Sequence, residues 1–199
     1  MPQVSLDQMI AALREGAALV SFPTDTVPAL ATKPEDAELI YAAKQRSPDK
    51  PLILMGATLS DLLPYVTGSA ADLTEWKALA ERYWPGQLTL VLPASDRTPP
   101  QLNPMRTGTL GIRVPNHPLA IALLARSGPL ATTSANLSGQ SPLIQPAAIA
   151  RQFPTALTLL PNVIDSYPSP PVSGQPSTVA QWTNSSWQIL RQGAVDLSR

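Results

Sequence analysis

The chain of 199 residues carries 14 Lys and Arg against 14 Asp and Glu, one His and no Cys, with 44% hydrophobic and only 14% charged residues. At this length a single core buries roughly 70% of the surface that the unfolded chain exposes, so neither disulfides nor a structural metal is needed, and the missing cysteines exclude a zinc ribbon, an iron–sulfur cluster and a thiol nucleophile. Zero net charge argues against a protein whose main business is coating nucleic acid or an anionic membrane.

Ser5-Leu6-Asp7-Gln8 fits a capping box ahead of Met9, Ile10 and Leu13, which recur at helical spacing until Gly16. Ala17 to Phe22 is short, apolar and closed by Pro23, the pattern of a buried strand. Pro34 opens a helix with Glu35 and Asp36 in its first turn, and Leu39, Ile40 and Ala43 form its apolar face. Pro51 to Met55 reads as a second strand. Thr58 and Ser69 are expected caps of two further helices, the second reaching the turn Trp84-Pro85-Gly86. Leu88 to Leu92 and Leu110 to Val114 are strands flanking a proline-rich loop. Asn116 is the expected cap of a helix that Pro118 starts and Gly128 closes, and Leu130 to Thr133 is again strand-like. A helix over Pro146 to Phe153, a strand over Ala156 to Leu160, a loop from Asp165 to Pro176 and two strands, Thr178 to Trp182 and Trp187 to Leu190, complete the reading.

Strands alternating with helices define an α/β protein with a β-rich end, and no repeat or domain linker appears before residue 165, so one domain over residues 1–199 is expected. Proline makes up 23 of 199 residues, about 12% against an average of about 5%. With a normal apolar fraction, that excess implies rigid connections rather than disorder. The first twenty residues carry Asp7, Arg14 and Glu15 where a secretory leader needs an apolar run, and no stretch is apolar for eighteen residues. A cytoplasmic protein with no membrane partner is expected.

Lys44-Gln45-Arg46-Ser47-Pro48-Asp49-Lys50 places three cations at a helix exit. They suit an anion site, and equally a solvated helix end whose cations complement the macrodipole. The run Thr132 to Gly139 follows a buried strand with hydroxyls, an amide and a glycine, either a ligand loop or a hydroxyl-rich turn. Arg113 interrupts an apolar strand and Arg191 follows one. Each could face solvent by alternation, or both could face one site. His117, the single histidine, is expected to be structural or solvent-facing. A serine hydrolase built on Ser134 and His117 is disfavoured, because Ser134 lacks the Gly-x-Ser-x-Gly elbow.

The ordered segments Pro23-Thr24-Asp25-Thr26, Lys44-Gln45-Arg46 with Lys50-Pro51-Leu52, Trp84-Pro85-Gly86-Gln87-Leu88-Thr89, Gly111-Ile112-Arg113-Val114-Pro115-Asn116-His117-Pro118, Ser134-Ala135-Asn136-Leu137-Ser138-Gly139, Ser177-Thr178-Val179 and Leu190-Arg191-Gln192-Gly193 resemble the YrdC-like family of threonylcarbamoyl-AMP synthases. The length resembles the single-domain form. The resemblance implies a twisted, mixed to mostly antiparallel sheet with flanking helices around a large concave groove. It implies ATP, L-threonine and bicarbonate as substrates, threonylcarbamoyl-AMP and pyrophosphate as products, and downstream tRNA-modifying transferase proteins as partners, with tRNA itself bound weakly at most. Carried over residue by residue, Lys44, Arg46, Ser134 and Asn136 would be catalytic. ATP contacts would fall on Arg46, Lys50, Thr109, Ser134, Asn136 and Arg191, and threonine contacts on Thr24, Arg113, Thr132 and Ser177. The fork of Arg113 suits a carboxylate.

In-line chemistry at phosphorus rests on positioning and charge neutralisation. Arginines, lysines and a Mg²⁺ ion held by the ATP phosphates are the matching equipment, with no protein metal ligands implied. One departure from the family stands out: where a Tyr or Phe followed by Gly is usual, this chain has Pro28-Ala29, and a further glycine is replaced by Ala31. The lost ring is expected to remove a pocket wall. The departure also motivates an alternative, a non-catalytic YrdC-like paralogue that binds RNA or nucleotide.

Overall fold

The Ser5 hydroxyl accepts from the Gln8 backbone N–H while the Gln8 side chain accepts from the Ser5 N–H, so the box satisfies donors that a helix start leaves open. Helix α1 then runs Leu6–Glu15 and ends at Gly16, whose φ of 92° suits a residue without a Cβ. These are residues of a computed structural model that describes positions 3–168 and 172–197. The same reciprocal capping starts α3 (Leu59–Leu62) from Thr58 and α4 (Ala70–Tyr83) from Ser69, as expected. At α5 (Pro118–Ser127) the expectation fails. His117, not Asn116, holds the cap position and gives no side-chain capping bond, and Pro118 at the first helical position, with its φ already set for the helix and no N–H to leave open, starts the helix.

The other elements are β1 (Gln3–Val4), β2 (Val20–Phe22), β3 (Ala29–Thr32), α2 (Glu38–Lys44), β4 (Ile53–Met55), β5 (Leu88–Pro93), β6 (Thr109–Arg113), β7 (Leu130–Ser134), α6 (Pro146–Gln152), β8 (Leu157–Leu159), α7 (Pro161–Asp165), β9 (Thr178–Thr183) and β10 (Ser186–Arg191). Pro34–Asp36 forms a single 3-10 turn ahead of α2 rather than its first turn. Sequence reading missed β1, β3 and α7. β3 is Ala-Leu-Ala-Thr behind a proline, a poor strand former that owes its extended form to neighbours on both sides. Helix α7 begins just before the expected 165–176 loop, of which residues 169–171 lie outside the described positions.

The strands form one ten-stranded sheet in the order β1-β8-β2-β3-β7-β4-β6-β5-β9-β10. The pairs β1–β8, β8–β2, β4–β6 and β5–β9 are parallel, and the remaining neighbours are antiparallel. The sheet is therefore mixed, as the family resemblance implied.

Alternation along the strands splits the core into two layers. Leu30, Leu54, Ile112 and Ala131 point into the larger layer with α4 residues Trp76 and Ala80. Ala29, Ala31, Met55 and Leu130 point the other way, where α1 (Met9, Ile10, Leu13) and α5 (Leu119, Leu123) cover them. These two helices pack on each other over one part of that second face. Beyond them the same strand positions line an open cavity.

Candidate active site

The cavity grows out of strand parity. In register, Ala29 lies opposite Ser134, Ala31 opposite Thr132, Ile53 opposite Thr132 and Met55 opposite Arg113, so these residues share one face. Ala29, Ile53, Met55, Thr132 and Ser134 line its floor, which encloses about 160 Å³. Thr24, Thr26 and Val27 form one wall, and Arg46, Arg113, Ser177 and Arg191 bring the charge and a further hydroxyl. That volume lies below the ~300 Å³ at which sites for drug-sized ligands begin, and it matches a small polar substrate such as an amino acid.

Arg113 sits at the end of β6, 4% exposed, and its guanidinium is bound on three nitrogens. Nε donates to the Gly86 carbonyl at 3.0 Å, Nη1 to Thr26 Oγ1 at 2.9 Å and Nη2 to Asp25 Oδ1 at 2.7 Å. A Cβ at position 86 would collide with the Tyr83 carbonyl, so the close turn that delivers this acceptor requires glycine. Burial lowers the Arg113 pKa, the Asp25 carboxylate opposes the shift, and the nearby charge of Arg191 adds to it. Arg113 and Arg191 therefore face one site.

Arg191 reaches the site through an irregularity. Ile189 pairs with Ala180 and Arg191 with Val179, so two residues of β10 advance while β9 advances by one. Such a bulge reverses the side-chain parity of the strand beyond it. Arg191 Nη2 and Nε then donate to the Ser177 carbonyl at 2.8 and 3.1 Å, and Ser177 Oγ shares a hydrogen bond of 2.8 Å with Thr89. Gly193 packs so closely on Pro176, Ser177 and Thr178 that a Cβ would overlap their backbone. This accounts for the glycine at the end of the Leu190-Arg191-Gln192-Gly193 segment.

At the α2 exit the three expected cations part company. Arg46 lines the cavity, with Nε and Nη2 donating to the carbonyls of Lys50 and Pro51 at 2.9 and 3.1 Å. Lys44 is 1% exposed, lies beneath the cavity and donates from Nζ to the Ser134 carbonyl, while its own carbonyl accepts from the Ser138 N–H. It braces the 134–138 loop from below. Burial pushes its pKa down to about 7, with Arg46 adding repulsion. Lys50 is exposed and lies outside the residues that line this cavity.

Ser134 presents its hydroxyl beside Asn136 Oδ1. Asn136 itself is turned inward, where Nδ2 donates to the carbonyls of Leu137 and Gln140, both at 2.7 Å, so it shapes the loop and does not line the cavity. Thr109 lies on the cavity-facing side of β6 but lines a separate depression with Asn103 and Arg106. His117 is buried, which agrees with a structural place, and burial lowers its pKa against the opposing charge of Asp25. Sequence reading missed Thr26, Ile53, Met55 and Asp25. Alternation from Thr132 and Arg113 across the sheet would have pointed to Ile53 and Met55 had the strand order been known.

A cationic, hydroxyl-lined, amino-acid-sized cavity on the open face of a mixed α/β sheet describes a protein that binds a small anionic or zwitterionic substrate. A family model covering Sua5, YciO and YrdC, described as telomere recombination, matches residues 11–193, and the chain belongs to that family. It is 37% identical over 201 residues to a threonylcarbamoyl-AMP synthase of Bacillus subtilis, covering 98% of this chain and 54% of that one. It is 39% identical over 166 residues to one of Chromohalobacter salexigens, covering 81% of this chain and 86% of the relative. Among solved structures, P. abyssi Sua5 complexed with L-threonine superposes with a TM-score of 0.81 at 30% identity, over 99% of this chain and 57% of the other. The chain thus spans about half the length of the Bacillus and P. abyssi relatives.

Proposed function

We propose that the protein is an L-threonylcarbamoyladenylate synthase that converts ATP, L-threonine and bicarbonate to threonylcarbamoyl-AMP and pyrophosphate, a cytoplasmic step in threonylcarbamoyladenosine modification of tRNA. The observation that carries this reading is the convergence of Arg46, Arg113 and Arg191 with Thr24, Thr132, Ser134 and Ser177 around one small cavity. The name borne by the relatives supports it.

The threonine amine forms a bond to the carbon of bicarbonate with loss of water, giving a carbamate. A carbamate oxygen then attacks the α-phosphorus, and the bond to the bridging oxygen breaks to release pyrophosphate. No protein nucleophile takes part. Arg46 and Arg191 stabilise the phosphates as charge shifts to the leaving group, and the hydroxyls orient the amino acid. The nucleotide runs along β6, where Thr109, Gly111 and Arg113 share a face and span about 13 Å at ~3.3 Å per residue. Among the described residues no group of three His, Cys, Asp or Glu side chains is placed to hold a metal. In this reading the ATP phosphates are the main donors to Mg²⁺, and the ion enters with the substrate. The product passes to downstream transferase proteins.

Threonine- and bicarbonate-dependent pyrophosphate release, with the adduct identified by mass spectrometry, tests the reading. Arg46→Ala should lower kcat/KM by about 10²-fold or more with a nearly unchanged melting temperature. ATP binding without threonine-dependent turnover would favour the alternative, a groove kept for RNA or nucleotide binding alone.

A further inference from the structure

We propose that Asp25 is the positioning residue of the amino-acid pocket, acting through Arg113. The inference rests on the synthase reading for the identity of its substrate. Asp25 is 2% exposed and does not line the cavity, whereas Thr24, Thr26 and Val27 on either side of it and Arg113 in front of it do. Its Oδ1 holds Arg113 Nη2 at 2.7 Å, and its backbone carbonyl is held in turn by Gln87 Nε2 at 2.9 Å and the Ser173 N–H at 3.3 Å. Asp25 is thus anchored to two other segments and passes that rigidity to the guanidinium.

The donor count shows what remains for a ligand. A guanidinium has five N–H groups. One on Nε, one on Nη1 and one on Nη2 go to Gly86, Thr26 and Asp25, leaving one on each Nη. Two donors on adjacent nitrogens suit the two oxygens of a carboxylate. Arg113 therefore need not release Asp25 to bind an amino acid; Asp25 and Thr26 fix which edge of the fork is presented. The negative charge of Asp25 also lets a cation stay buried while the pocket is empty, since an uncompensated buried charge is strongly destabilising. Groups that meet Asp25 electrostatically are Arg113 in front and His117 on the flank.

The test compares Asp25→Asn, which keeps the shape and one acceptor, with Asp25→Ala, in pyrophosphate-release kinetics and in calorimetric titration with L-threonine. The KM for threonine should rise about tenfold or more in Asp25→Ala and by less in Asp25→Asn, with the KM for ATP within about twofold of the parent. In an Arg113→Met background, Asp25→Asn should add nothing to the threonine defect, because residues acting as a unit are not additive. An unchanged or lowered threonine KM in Asp25→Asn, or full additivity with Arg113→Met, would overturn the assignment. A parent protein that binds threonine without turnover would overturn the synthase reading alone, and calorimetry of the variants would still decide the role of Asp25. If Asp25→Ala does not fold, Asp25→Asn and the double variant carry the test.

Discussion

The ammonium of Lys44 reaches the Ser134 carbonyl from beneath the cavity floor, so its contribution is to the loop before it is to any phosphate. That position makes it a stability residue with a defined pH signature. An unfolded lysine titrates near 10.4, whereas burial brings Lys44 to about 7. Between these values the unfolded chain binds a proton that the folded chain does not, so stability rises with pH from about 7 towards 10, and the dependence levels off below 7, where both states are protonated. Lys44→Met should flatten the rise in melting temperature over that window. A slope identical to the parent's would show that Lys44 stays charged in the fold. Lys44→Ala should lower both activity and melting temperature, in contrast to Arg46→Ala, because truncating the buried Lys44 leaves a cavity, whereas the carbonyl bonds of Arg46 are exposed to solvent. Sequence spacing grouped the two cations but could not separate them. Lys44 ends α2 and Arg46 follows it, and the difference lies in the αL conformation of Gln45 between them, with φ of 49°.

At the scale of elements, what sequence showed well were helix starts, because capping is chemistry within four residues. What it showed poorly were short strands whose extended form is imposed from far along the chain. β3 is the telling example, since its residues Ala29 and Ala31 pair with Phe22 and Val20 on one side and with Ser134 and Thr132 on the other. The parity of β3 also corrects the reading of the Pro28-Ala29 departure. Val27 and Ala29 line the cavity and Pro28 does not; the Pro28 carbonyl instead accepts the Ala135 N–H at 2.9 Å. A ring at position 28 would not stand where the lining side chains stand, so the expected missing wall is not at this position. The methyl of Ala29 is the feature that meets a ligand. Pro28→Tyr with Ala29→Gly should lower the threonine KM and scarcely change that for ATP, and Ala29→Gly alone should account for most of the effect. A glycine at position 29 would let a ligand approach the backbone that the Ala29 methyl keeps it from. A gain that follows Pro28→Tyr instead would mean that the 27–29 backbone turns differently when substrate is bound.

Over the whole molecule the balance of 14 cations and 14 anions conceals an uneven distribution. Lys44, Arg46, Arg113 and Arg191 belong to the cavity or its floor, whereas Asp25 is the single buried carboxylate among the described residues. Removing these from the count leaves ten cations against thirteen anions for the rest of the chain, a slightly acidic remainder. Polyanion binding gains most of its free energy from counterions released at contacts with Lys and Arg, and each contact steepens the dependence of log K on log salt by about 0.9 for duplex or 0.7 for single strands. A remainder of this sign offers few such contacts. Bare tRNA should therefore bind weakly, with a shallow salt slope and without preference for one tRNA over another. On the synthase reading, selection of the tRNA would fall to other proteins. Fluorescence anisotropy with labelled tRNA at 50 and 200 mM salt measures this directly. Sub-micromolar, sequence-selective binding at the higher salt would be at odds with this charge balance, and it would favour the RNA-binding alternative over the synthase reading.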